Sequence, residues 1–69
     1  MDYLVIFEKG SQGYGAYVPD LPGCVAAGDT LEEVRDLIRE AIPLHIETMR
    51  GRGEPVPSPT SLADVVRVA

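Results

Sequence analysis

His45, Cys24 and six carboxylates (Asp20, Asp29, Glu32, Glu33, Asp36, Glu40) are the side chains of this sequence with chemistry to offer. His45 is the only histidine and projects from the apolar side of a predicted helix. A general base needs a partner within hydrogen-bond reach, and the spacing supplies none, so His45 reads as a core or interface residue. Cys24, directly after Gly23, reads as a small buried residue rather than a nucleophile. The carboxylates could crowd one end of the molecule. A metal-dependent nuclease built on a sheet of this kind would want an acid inside its first strand, and that strand, Leu4-Val5-Ile6-Phe7, is wholly apolar. A solvated acidic face, or a docking face for a basic protein, accounts for the same residues. Gly10, Gly13 and Gly15 match no nucleotide-binding fingerprint, and no Gly-Lys-Ser/Thr follows them. They read as a turn that needs positive φ. No catalytic site, metal site or cofactor is expected.

These residues must be positioned by a few elements. Tyr3 to Phe7 is a β-prone first strand, apolar on both faces, with Tyr3, Val5 and Phe7 on one side and Leu4 and Ile6 on the other. Gly10 to Gly13 forms a hairpin loop, and Tyr14 to Val18 is a second, antiparallel strand. Pro19 and Pro22 each remove an amide donor, so Pro19 to Gly23 is a rigid loop or bulge. Cys24 to Ala27 is a third, weak strand of small residues that lets a helix lie close. Thr30-Leu31-Glu32-Glu33 is a capping box, with the Glu33 carboxylate expected to reach back to the Thr30 amide.

The helix runs to about Arg50, with Gly51 as a left-handed cap. Leu31, Val34, Ile38, Ala41, Ile42, His45 and Met49 form its apolar face. Pro43 removes a bond to the Arg39 carbonyl, at about 3 kcal/mol in a helix interior. The apolar spacing stays in phase beyond it, which favours one kinked helix with Pro43 toward solvent over two helices. Pro55, Pro57 and Pro59 mark an extended return. Val65 to Val68 is a last strand, its rival a short helix capped by Ser61. The fold class is α+β, β-β-β-α-β: a mainly antiparallel sheet of order 3-2-1-4, strand four parallel to strand one, with one long helix on one face.

Sixty-nine residues form a single domain, 1–69. A domain this short buries only about 60% of its unfolded surface, and a lone cysteine offers no disulfide, so a homo-oligomer (dimer or tetramer) is expected. A net charge of −5 suits a basic partner and disfavours phosphate contacts. No apolar run approaches a membrane span, and the acidic Met1-Asp2-Tyr3 start is unlike a signal peptide; a soluble, cytoplasmic protein without membrane contact is expected.

Several stretches together resemble the HicB-like antitoxin family in its short stand-alone form. They are Tyr3 to Lys9, Gly13-Tyr14-Gly15-Ala16-Tyr17-Val18-Pro19-Asp20-Leu21-Pro22-Gly23-Cys24, and Gly28-Asp29-Thr30-Leu31-Glu32-Glu33-Val34. Glu40-Ala41-Ile42, Leu44 to Glu47, Gly53 to Pro59 and Val65 to Ala69 also match. The resemblance implies a partial ribonuclease-H-like sheet without catalytic residues. It also implies a partner, a small basic HicA-like toxin that cleaves mRNA and is neutralised when the antitoxin covers it. Longer family members add a C-terminal DNA-binding segment; this sequence stops at Ala69, so no C-terminal DNA-binding domain and no direct DNA binding are expected. Pro43 departs from the usual helix former at that position. The expected partner-binding residues are Asp20, Leu21, Asp29, Glu32, Asp36 and Glu40. The alternative reading is an orphan protein-interaction or ligand-binding module without a toxin partner; a metal-dependent nuclease remnant is a third.

Overall fold

The Pro19–Gly23 segment sets the architecture, because two tight turns follow one another there. In the computed structural model, which describes all of residues 1–69, the Leu21 amide donates to the Val18 carbonyl at 3.0 Å and the Cys24 amide to the Leu21 carbonyl at 3.0 Å. Each turn has proline in its second position, where the fixed φ is pre-set. In the second turn Gly23 takes the third position at φ 88°, a conformation that favours glycine over any residue with a Cβ. The Val18 amide, donating to the Cys24 carbonyl at 3.2 Å, ties the two ends of the loop.

Strand β1 (Ile6–Gly10), strand β2 (Gly13–Tyr17) and strand β3 (Val25–Gly28) form an antiparallel sheet of order β1-β2-β3. The first strand starts at Ile6 rather than Tyr3, because Pro19 and the loop bonds end the β2 ladder at Tyr17, the partner of Ile6. It runs on to Gly10, since the hairpin turn is only Ser11-Gln12 and Gly10 still pairs with Gly13. Strand β3 begins one residue late, because the turn uses the Cys24 amide. Gly13, at φ 152°, brings its backbone so close to the Gly28 carbonyl that a Cβ would overlap it.

Helix α1 (Leu31–Gly51) is one continuous element that includes Pro43, whose side chain is exposed, in agreement with the single-helix reading. At its start the Glu33 amide donates to Thr30 Oγ1 at 3.1 Å. The return arm of the box differs from expectation: Glu33 Oε2 accepts from the Asp29 amide at 3.3 Å rather than from Thr30. At its end Gly51 stays helical and Gly53, at φ 72°, is the left-handed residue. The Gly53 amide donates to the Arg50 carbonyl at 3.1 Å and the Glu54 amide to the Met49 carbonyl at 2.9 Å. These two bonds make a Schellman motif.

The helix lies over β2 and β3. Val34 and Ile38 enter a core with Ala16, Val18, Leu21 and Cys24, and Tyr3, Val5, Phe7, Ala41, Ile42, Ile46, Met49 and Val56 pack around it. Phe7, out on β1, is covered by the Arg35 guanidinium, 5.9 Å from the ring centroid.

The fourth strand is absent, which corrects both the β-β-β-α-β order and the 3-2-1-4 sheet. The return segment is held at Pro57, whose carbonyl accepts from the Tyr3 hydroxyl at 2.5 Å, and at Thr60 and Ser61. Beyond Ser61 no ladder forms, and Leu62, Val65, Val66 and Val68 are 94, 93, 79 and 84% exposed. Nor do these residues form the rival short helix. β-Branched residues favour a strand only where a neighbouring strand receives them.

Candidate partner-binding face

The six residues expected to bind a partner separate into two groups. Leu21 is fully buried, 0% exposed, and belongs to the core rather than to a surface. The double turn forces this, since it presents residue 21 inward while its neighbour Asp20 points outward. Asp20 is already engaged. Its Oδ2 accepts from the Thr60 and Ser61 amides, both at 2.9 Å, and its Oδ1 accepts from the hydroxyls of Ser61 at 2.8 Å and Thr60 at 3.2 Å. The Ser61 amide bond is the largest of the influences that hold the Asp20 carboxyl below its ordinary pKa, with the remaining Ser61 and Thr60 bonds adding to it against a desolvation that opposes it. Asp20 is thus a clamp on the return segment, and Leu21 a core anchor. A Leu-Pro-Gly turn flanking an Asp, with Thr-Ser after a proline-rich return, was the signal available for this pairing.

The second group stays together. Glu32, Asp36 and Glu40 recur at i, i+4 and i+8, which places them on one helix face, and all are exposed, as is Asp29 just before the cap. They face water because Val34 and Ile38 orient the helix inward. Glu32 and Glu33 also sit at the positive end of the helix dipole. None of the four has a side-chain bond or ion pair within the chain.

Cys24 is buried and unpaired, and burial pushes its thiol pKa up. That makes it a poor nucleophile. His45 is half-buried, with its Cε1 3.7 Å from where a Cβ on Gly23 would stand. It lines a groove of about 760 Å³ between the Pro22-Gly23 turn and the second half of α1, with Leu44, Met49 and Arg52 along the helix side. The groove was not foreseen, because it depends on how far the double turn reaches toward the helix. The glycine hairpin lines a second, shallow hollow that includes Glu8 and Asp29, which is unfavourable to phosphate. No three His, Cys, Asp or Glu side chains converge as metal ligands, and no helix is long and apolar enough to cross a membrane.

A long helix on a three-stranded antiparallel sheet defines a small α+β domain of the kind seen in solved antitoxins. It is similar to a chain of the HicA3 and HicB3 toxin-antitoxin complex, with a TM-score of 0.72 and 36% identity over 86% of this chain and 69% of that one. It is also similar to the crystallised antitoxin HicB3, with a TM-score of 0.65 and 37% identity over 83% of this chain and 42% of that one. The family model described as HicB_like antitoxin of bacterial toxin-antitoxin system matches residues 3–68, and the chain belongs to this family.

Among curated relatives, an uncharacterized 14.9 kDa protein of Haemophilus phage HP1 is 47% identical over 57 residues, covering 83% of this chain and 43% of that protein. A UPF0150 protein of Synechocystis is 46% identical over 57 residues, 81% of this chain and 72% of its own length. Another from Thermoplasma acidophilum is 41% identical over 58 residues, 83% and 84%. The chain therefore spans less than half of the phage protein and of the crystallised HicB3, and most of the other two.

Proposed function

We propose that this protein is a non-enzymatic antitoxin that binds and neutralises a small basic HicA-like toxin in the cytoplasm. The observation that carries this reading is the likeness, at 36% identity, to a chain of a HicA3 and HicB3 complex. The exposed stripe of Asp29, Glu32, Asp36 and Glu40 is the docking face; Leu21, in one core with Val34 and Ile38, supports the helix that carries most of it, while Asp20 holds the return segment. Opposite charge on the toxin would speed encounter and fix orientation more than it would raise affinity. The partial ribonuclease-H-like sheet expected of the family serves here as a scaffold. Co-expression with a HicA-like toxin tests the role: a stable complex that restores growth is expected, and no complex with any such toxin would remove it. Replacing Glu32, Asp36 and Glu40 by Lys should slow association by about tenfold or more and weaken its salt dependence. Unimpaired rescue by that triple variant would move the docking face elsewhere.

A second reading, a module that holds another protein or a small ligand without any toxin, is favoured by the groove beside His45. It predicts binding that the Lys substitutions leave intact.

A further inference from the structure

The Cα radius of gyration is 13.5 Å, where a compact chain of this length has about 11 Å. Residues 62–69 are exposed and carry Leu62, Val65, Val66 and Val68 into solvent. At the same time the outer edge of β1 is unpaired, since β1 is terminal in the sheet. A free strand edge and a free β-prone segment of similar length are complementary.

We propose that residues 64–68 are an exchanged strand, which completes the sheet of a second copy of this chain along the open edge of β1.

The residue pattern selects the register. In the ladder Ile6 pairs with Tyr17 and Tyr17 with Val25, a cross-strand row on the sheet face away from α1. Tyr17 and Val25 in that row are 40 and 64% exposed. Phe7 and Ala16 pair on the opposite face, where Phe7 packs against the core and is only half-buried. A parallel strand with Val65 beside Ile6 extends the apolar row by one residue. The next position places Val66 beside Phe7, on the side that α1 leaves thinly covered. The position after that places Arg67 beside Glu8, an exposed carboxylate with no partner in its own chain. Apolar side chains meet apolar ones on both faces, and the one charged residue of the strand meets an opposite charge. An antiparallel strand centred on the same residues would set Arg67 beside Ile6 and lose the match.

Each copy carries both a donor strand and an acceptor edge. Reciprocal exchange therefore closes as a two-fold dimer instead of propagating as a fibre. The Asp20 clamp fixes the point from which each strand departs, at Ser61. Pairing of copies needs no toxin, so it stands or falls apart from the antitoxin role.

Light-scattering mass across a dilution series of the full chain tests this, with circular dichroism as the control for folding. Twice 7.4 kDa is expected, falling to the single mass on dilution. Val66→Asp, at a position the single chain leaves exposed, should raise the dimer dissociation constant by more than about tenfold with an unchanged spectrum. Glu8→Arg and Arg67→Glu should each weaken the dimer roughly twofold to fivefold, and the double exchange should restore it. In a mixture of isotope-labelled and unlabelled protein, Val66–Phe7 proximity should be found between copies. A monomer at every concentration, Val66–Phe7 proximity within one copy only, or a dimer indifferent to Val66→Asp would each overturn the proposal.

Discussion

The Pro19–Gly23 loop and the segment from Leu62 to Val68 are of comparable length, and both contain apolar residues, yet they end in opposite states. Leu21 is 0% exposed, whereas Leu62 is 94% exposed. The loop is closed by three backbone bonds between Val18, Leu21 and Cys24, all local in sequence. The later segment has only a local contact between the Asp64 carboxylate and the Val65 amide at 2.7 Å. A turn carries its stabilising geometry within four or five residues, through proline's fixed φ and glycine's freedom. A strand has none until another strand supplies its bonding partners. Hydrophobicity alone does not bury a residue; closure of the local backbone around it does.

Truncation of the two leucines is the sharpest break of this contrast. Leu21→Ala should destabilise the fold by about 2–5 kcal/mol, the range for a fully buried leucine. Leu62→Ala should leave the isolated chain within about 0.5 kcal/mol of the parent. Denaturant unfolding of both variants measures the difference, and equal losses would erase the distinction. Next in size is Gly23→Ala. An alanine at φ 88° is strained and should lower stability by about 1–2 kcal/mol, while Gly51→Ala, in open helical space, should be neutral or slightly stabilising.

The smallest effect joins the two regions, through Asp20. Its folded pKa is depressed below 3.8, so its contribution to stability is present above about pH 4 and is lost as the pH falls through the lower folded value. Asp20→Asn should flatten the acid limb of the stability profile, and hydrogen exchange at the Thr60 and Ser61 amides should quicken. An unchanged acid limb in the variant would assign the acid sensitivity to other carboxylates.

Much of this was legible in the residues themselves. Thr30 and Glu33 announced the helix start three positions apart, and Val34 and Ile38 oriented the helix so that Glu32, Asp36 and Glu40 had to face water. Pro22-Gly23 announced a turn. Strand limits were less legible, because the ladder ends wherever a turn takes an amide, as at Cys24, and this is a competition between neighbours rather than a propensity. Asp20 and Leu21 were expected to bind a partner. Their placement rests on a contact 40 residues away in sequence and on the inward aim of a double turn. Val65 to Val68 carried a genuine strand signal, but within the single chain the segment does not pair with the open edge of β1.

Cys24, 3% exposed, is the one thiol of the chain and lies inside the core. Oxidation consequently has no sulfur at the surface with which to join one molecule to another. A complex formed by this domain has no exposed thiol of its own with which to close a disulfide. Association through this domain is then expected to follow concentration and mass action.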